Sequence, residues 1–139
     1  HDTAANIGAE ALLNVLKNWP QTPTPQSKTG VTLAPKITKD MRAIDWHKPT
    51  IDVHNHIRGL SPFPAATAQF EGETWKILRS EIVPGTGKPG EILQTVDTLT
   101  IACGANAIQV LELQRPGKQA QDVKEFLQGF SFSNNTFFS

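Results

Sequence analysis

Cysteine is nearly absent from this chain. Cys103 is the only one in 139 residues, so no disulfide can form within the chain, and the usage suits a reducing, cytoplasmic compartment. No apolar run approaches the roughly 20 residues that a bilayer-spanning helix needs, so no membrane contact is expected. The amino terminus lacks the charged, apolar and small-residue succession of a secretory signal. Excess charge is missing too. Thirteen Lys and Arg balance thirteen Asp and Glu, and the isoelectric point is about 7.1. Dedicated nucleic-acid domains more often exceed about 9. Strong, independent RNA binding is therefore not expected, although a neutral chain can still carry a local basic stripe. No internal repeat, nucleophile–base pair, metal cluster or cofactor loop is recognisable. Gly85-x-Gly87-Lys88 lacks the spacing and the following helix of a phosphate loop.

What is present is enough for one small core. Seven Phe and three Trp stand in a chain that is 38% hydrophobic, and each fully buried side chain of this kind contributes roughly 1.5–3 kcal/mol. Three regions are expected. Residues 1–18 hold a helix over 3–18, capped by Asp2 or Thr3, with Ile7, Ala11, Leu12, Val15 and Leu16 on one face. Pro20 stops it. Residues 19–30 form a linker in which Pro20, Pro23 and Pro25 enforce extended geometry. Residues 31–139 form the main domain.

Within that domain the pattern predicts a first strand at 31–37 and a short helical turn toward Arg42, capped by Thr38 or Asp40. A helix opens at Pro49 and Thr50, buries Val53, Ile57 and Leu60, and ends through Gly59, Pro62 and Pro64. Pro62, Phe63 and Pro64 read as scaffold at its exit. A hairpin turns at Glu71-Gly72 between strands at 67–70 and 74–83. Further strands are expected at 91–96, 99–103 and 107–113, with Cys103 in the core. A last helix at 122–128 carries a reciprocal capping box of Asp122 and Glu125 and an apolar face of Val123, Phe126, Leu127 and Phe130. Residues 131–139 either fray or are pinned by Phe132, Phe137 and Phe138. Short strands with turn residues between them point to a mainly β fold with flanking helices, a small open barrel of the oligonucleotide-binding (OB-like) kind.

The ordered blocks Ala34-Pro35-Lys36-Ile37-Thr38, Ile44-Asp45-Trp46 and Arg58-Gly59-Leu60-Ser61-Pro62-Phe63-Pro64 resemble the carboxy-terminal domain of methionyl-tRNA formyltransferase. So do Trp75-Lys76-Ile77, Pro89-Gly90-Glu91-Ile92-Leu93, Leu111 to Lys118 and Phe126-Leu127-Gln128-Gly129. The resemblance implies a barrel domain that helps hold initiator methionyl-tRNA in translation initiation. It implies an amino-terminal catalytic domain, unmatched in this chain, that takes the formyl group from 10-formyltetrahydrofolate. It identifies the 3–18 helix with the end of that domain. The chain is accordingly expected to bind no cofactor and to be inactive alone. Gln119 stands where the family has a second lysine, and Gly104-Ala105-Asn106 replaces a G-D-G turn.

Lys36, Lys39, Arg42, Arg58, Arg115 and Lys118 are the candidate RNA contacts, because cations at loop edges can bind phosphate. Lys36 and Lys118 lead, since both lie in family-like blocks. His54 and His56 are two positions apart on a helix and point about 200° apart, so a shared metal is not expected. Asp45 is expected to cap or turn the chain while Trp46 anchors the barrel edge. Two other readings stay open. One is the equivalent domain of a sugar-nucleotide or folate formyltransferase. The other is a stand-alone interaction module, in which the apolar face of the 3–18 helix packs on the barrel or joins another chain, by self-association for example.

Overall fold

A computed structural model describes residues 2–94, 97–133 and 135–139. The chain divides into two compact units, His1–Pro35 and Lys36–Ser139. In the first, helix α1 spans Asp2–Lys17, and its five apolar residues fall on the face that their spacing predicts. Thr3 lies inside this helix rather than at its cap, and the Asp2 side chain, the other expected cap, lies outside the described residues. From 20 to 35 the chain carries no helix or strand, only a turn at 28–30. The strand expected at 31–37 does not form: Val31, Leu33 and Ile37 are exposed. Strand propensity mostly reflects packing on a half-buried sheet, and these side chains have no such surface. Pro35 also lacks the N–H that a ladder needs.

The second unit is an antiparallel sheet, curled into a half-barrel with flanking helices. Its strands are β1 (Ala66–Phe70), β2 (Glu73–Val83), β3 (Ile92–Gln94), β4 (Leu99–Ala102), β5 (Ala107–Gln114) and β6 (Gln121–Asp122). The order is β1-β2-β5-β4-β3, with β6 pairing the second half of β5. Thr95 and Val96, expected to extend β3, lie outside the described residues. The β1–β2 turn is where the sequence places it, and both Glu71 and Gly72 have positive φ, as a tight hairpin turn of the primed type requires. The β2–β5 register shifts twice between Ile77 and Ser80. Such a bulge bends a strand, and here Ile77 and Leu78, adjacent in sequence, are both buried.

Helix α2 (Thr50–Leu60) packs on β2 and β5 with Thr50, Val53, Ile57 and Leu60 inward. Thr50 Oγ1 donates to the Ala105 carbonyl. Gly59 lies inside the helix, which runs on to Leu60. The stop comes after it, where Ala65 N–H donates to Leu60 O at 2.9 Å and closes a six-residue loop. Phe63 sits at the tip of that loop and is 89% exposed. It is therefore not scaffold, because the closed loop turns its tip outward. The short turn at Asp40–Arg42 is a 3-10 helix whose N-cap is Lys39, with no side-chain cap from Thr38 or Asp40.

Helix α3 (Val123–Leu127) buries Val123 and Phe126. Asp122 accepts a hydrogen bond from Lys124 N–H at 2.9 Å. The expected box needed the third residue's amide, so Asp122 caps one position earlier and Glu125 takes no reciprocal part.

Trp75, 1% exposed, lies at the centre of an aromatic cluster. Its ring is 5.2 Å from Phe70, 5.5 Å from Phe126, 5.6 Å from Phe130 and 5.7 Å from Phe138. Such pairs each add about 0.5–1.5 kcal/mol beyond area burial.

The last residues are pinned and close the half-barrel. Strands β1 and β3 are the two ends of the sheet path. Ser139 and Gln69 of β1 exchange backbone bonds of 2.6 and 3.0 Å. Ile92 N–H of β3 reaches Thr136 O at 3.1 Å, and Phe138 N–H reaches Gly90 O at 2.9 Å. One short segment thus satisfies backbone groups at both edges, which would otherwise invite foreign strands. Gly90 has φ +84°, and a Cβ there would collide with the Phe138 carbonyl oxygen. Phe138 is buried against Trp46 while Phe137 is partly exposed. No helix among the described residues is long and apolar enough to cross a membrane.

Candidate nucleic-acid interface

The six candidate cations fall into three kinds of surroundings. Lys36 and Lys39 are exposed, Lys36 on extended chain and Lys39 at the head of the 3-10 turn. Neither makes a side-chain bond among the described residues, so both ammonium groups face solvent.

Arg42 closes the 3-10 turn, and Arg58 lies in the last turn of α2. Arg42 is half-buried, and its Nε donates to Ala65 O at 3.0 Å. Its carbonyl lies 3.2 Å from His56 Nε2. These bonds tie the 3-10 turn both to the helix and to the loop that follows it. Arg58 is exposed, with Nε donating to Asn55 Oδ1 at 2.9 Å. Lys39, Arg42 and Arg58 are thus carried by one locally connected substructure.

Arg115 and Lys118 share the turn between β5 and β6. The Arg115 guanidinium makes bonds of 3.0–3.2 Å to both carboxylate oxygens of Glu73. It lies 5.2 Å from the Trp75 ring centre and 5.3 Å from that of Phe130, within reach of cation–π attraction. Glu73 also accepts the Trp75 indole N–H at 3.0 Å. The Arg115 hydrogen bond first, and then the Trp75 bond, hold the Glu73 carboxyl below its ordinary pKa. Lys118 is exposed. The turn borders a cleft of about 360 Å³ lined also by Gln121, Glu125 and Phe130.

A second cleft, of about 420 Å³, adjoins α2. Asp45, Lys48, Asp52 and His56 line it, and two carboxylates beside one ammonium make a poor seat for a polyanion. Asp45 accepts His47 N–H at 3.1 Å, the local turn expected of it. Trp46 is buried. His54 meets Ser80 Oγ at 3.1 Å while His56 meets Arg42 O, so the two imidazoles serve different partners. Among the described residues no three His, Cys, Asp or Glu side chains are disposed to hold a metal. Cys103 is buried, and desolvation raises its thiol pKa. Glu73 and Gln114 were missed from the sequence. The partners that join each of them to another strand or turn, Arg115 for Glu73 and Lys76 for Gln114, lie 42 and 38 positions away in sequence.

The architecture is a curled antiparallel half-barrel whose edges are bridged by a terminal strap, and it carries both ion-paired and solvent-facing cations. Residues 36–131 match the family described as Formyl transferase, C-terminal domain, and the chain belongs to that family. It is similar to methionyl-tRNA formyltransferase of Ruegeria pomeroyi, with 44% identity over 137 residues, covering 98% of this chain and 45% of the relative. The methionyl-tRNA formyltransferase of Rhodopseudomonas palustris is 46% identical over 136 residues, covering 93% and 43%. That of Caldanaerobacter subterraneus is 38% identical over 141 residues, covering 98% and 46%. The chain therefore spans less than half the length of these relatives. Among solved structures, HypX from Aquifex aeolicus in complex with tetrahydrofolic acid has the same fold. Its TM-score is 0.67 at 20% identity, over 98% of this chain and 26% of that one.

Proposed function

We propose that this chain is the tRNA-holding domain of a methionyl-tRNA formyltransferase. In that reading a separate catalytic domain moves the formyl group from 10-formyltetrahydrofolate to initiator methionyl-tRNA in the cytoplasm, for translation initiation. The 1–18 helix is the end of that catalytic domain, 19–30 the linker and 31–139 the holding barrel. The observation that carries the reading is 44% identity to such an enzyme over 98% of this chain. Exposed Lys36, Lys39, Arg58 and Lys118 supply phosphate contacts, and zero net charge keeps the affinity modest. Arg42 and Arg115 contribute mainly by holding their own segments.

Titration of initiator methionyl-tRNA with this chain across a salt series tests it. The expected result is weak binding whose log affinity falls by about 0.7–0.9 per phosphate neutralised for each tenfold rise in salt. Absence of salt-dependent binding even at low ionic strength would overturn the RNA-holding role. A parent enzyme that formylates a small amine instead would move the domain to a sugar-nucleotide formyltransferase.

A further inference from the structure

Arg115 looks from its sequence block like a phosphate ligand, yet its guanidinium is already occupied. Glu73 takes it by a two-oxygen fork, and Trp75 and Phe130 lie close to it. What it does hold is the first residue of a four-residue turn, Arg115-Pro116-Gly117-Lys118. Lys118 N–H donates to Arg115 O at 3.1 Å, and Gly117 has φ +69°. Proline second and a positive-φ glycine third are the requirements of a type II turn. The far end of the turn is fixed as well. Gln114 Nε2 donates to Lys118 O at 2.8 Å, while Gln114 Oε1 accepts from Lys76 Nζ at 3.0 Å. Both ends of the turn are anchored to β2, through Glu73 and Lys76. The Lys118 ammonium has no partner among the described residues.

We propose that Arg115 is a positioning residue: clamped by Glu73, it fixes the 115–118 turn so that the free ammonium of Lys118 meets an RNA phosphate. This rests on the tRNA-holding reading above. A pre-ordered loop spares binding the entropy of fixing it. Lys cannot replace Arg here, because an ammonium lacks the planar fork that both grips a carboxylate and stacks.

The test compares Glu73→Gln, Arg115→Lys, Lys118→Met and the double variant E73Q/K118M. Initiator methionyl-tRNA is the probe at two salt concentrations. K118M is expected to lower the salt slope by about 0.7–0.9. E73Q is expected to weaken binding about three- to tenfold although it removes a negative charge, and K118M is expected to cost less in its background, because the two residues act as one unit. R115K keeps the charge and is expected to weaken binding as E73Q does. Were Arg115 itself the phosphate ligand, E73Q would release it and tighten binding, and that result overturns the proposal. Amide exchange at Lys118, whose N–H donates to Arg115 O, gives a readout independent of RNA. Faster exchange in E73Q and R115K, with β2 unchanged, supports the clamp. Unchanged exchange overturns it. If the wild-type chain binds no RNA, the tRNA reading fails and with it the role of Lys118, while exchange still decides whether the clamp exists.

Discussion

Two helices in this chain carry the same hydrophobic pattern and meet different fates. Helix α2 places Val53, Ile57 and Leu60 on one face and buries all three against β2 and β5. Helix α1 places Ile7, Ala11, Leu12, Val15 and Leu16 on one face, and every side chain from Thr3 to Pro35 is exposed. Periodicity therefore states that a helix has an inner face and says nothing about what lies inside it. The energetic consequence is large. An isolated helix of about 15 residues is marginal in water, and most helical stability comes from the packing of an apolar face. The Lys36–Ser139 unit has such packing, built around Trp75.

The largest expected effect follows from that centre. Trp75→Ala should destabilise the chain by about 3–5 kcal/mol, the range for removing a buried aromatic, read as a fall in the urea midpoint. Phe63→Ala, an aromatic truncation at an exposed position, should change it by less than about 0.5 kcal/mol. Equal effects would mean that the loop tip packs on something. Phe138→Ala should cost about 3 kcal/mol and also loosen the strap, so that amide exchange rises at Gln69 and Ile92 together. A rise at only one edge would show that the segment does not bridge them.

The helix comparison has its own test. In this chain alone, α1 amides should exchange far faster than those of α2. Leu12→Ala with Leu16→Ala should shift the barrel's unfolding by less than about 0.5 kcal/mol. Protection of α1 equal to that of α2 would mean that its apolar face is covered, by another copy of the chain for instance. The concentration dependence of that protection would then identify self-association.

The contrast also explains what could be read in advance. Helix α2, the Glu71-Gly72 hairpin and the burial of Cys103 were legible because each depends on residues close in sequence. Strand 31–37 was misread because alternation at Val31, Leu33 and Ile37 implies a ladder only where a sheet edge is available. The strap was half-legible. Phe138 announced an anchor, but its role depends on Gln69 and Gly90 lying at opposite edges of a folded sheet. The candidate site was legible as cations and illegible as an arrangement. Glu73 and Arg115 are 42 positions apart, and only the β2–β5 pairing brings them together.

The smallest expected effect concerns that ion pair. Glu73 has a lowered pKa in the folded chain, chiefly through its hydrogen bonds with Arg115 and then Trp75. A carboxylate with a depressed folded pKa stabilises the fold above its unfolded value of about 4.3, and the contribution is lost as pH falls through the lowered value. Wild type and E73Q should therefore differ in unfolding midpoint at pH 6, and the gap should narrow between about pH 4.3 and lower values. The side chains of Glu73 and Arg115 are 43% and 32% exposed, so solvent screening keeps the difference small. Added salt should shrink it at pH 6. A gap that persists undiminished below pH 3 would place the loss in packing rather than charge, and the clamp would then act by shape alone.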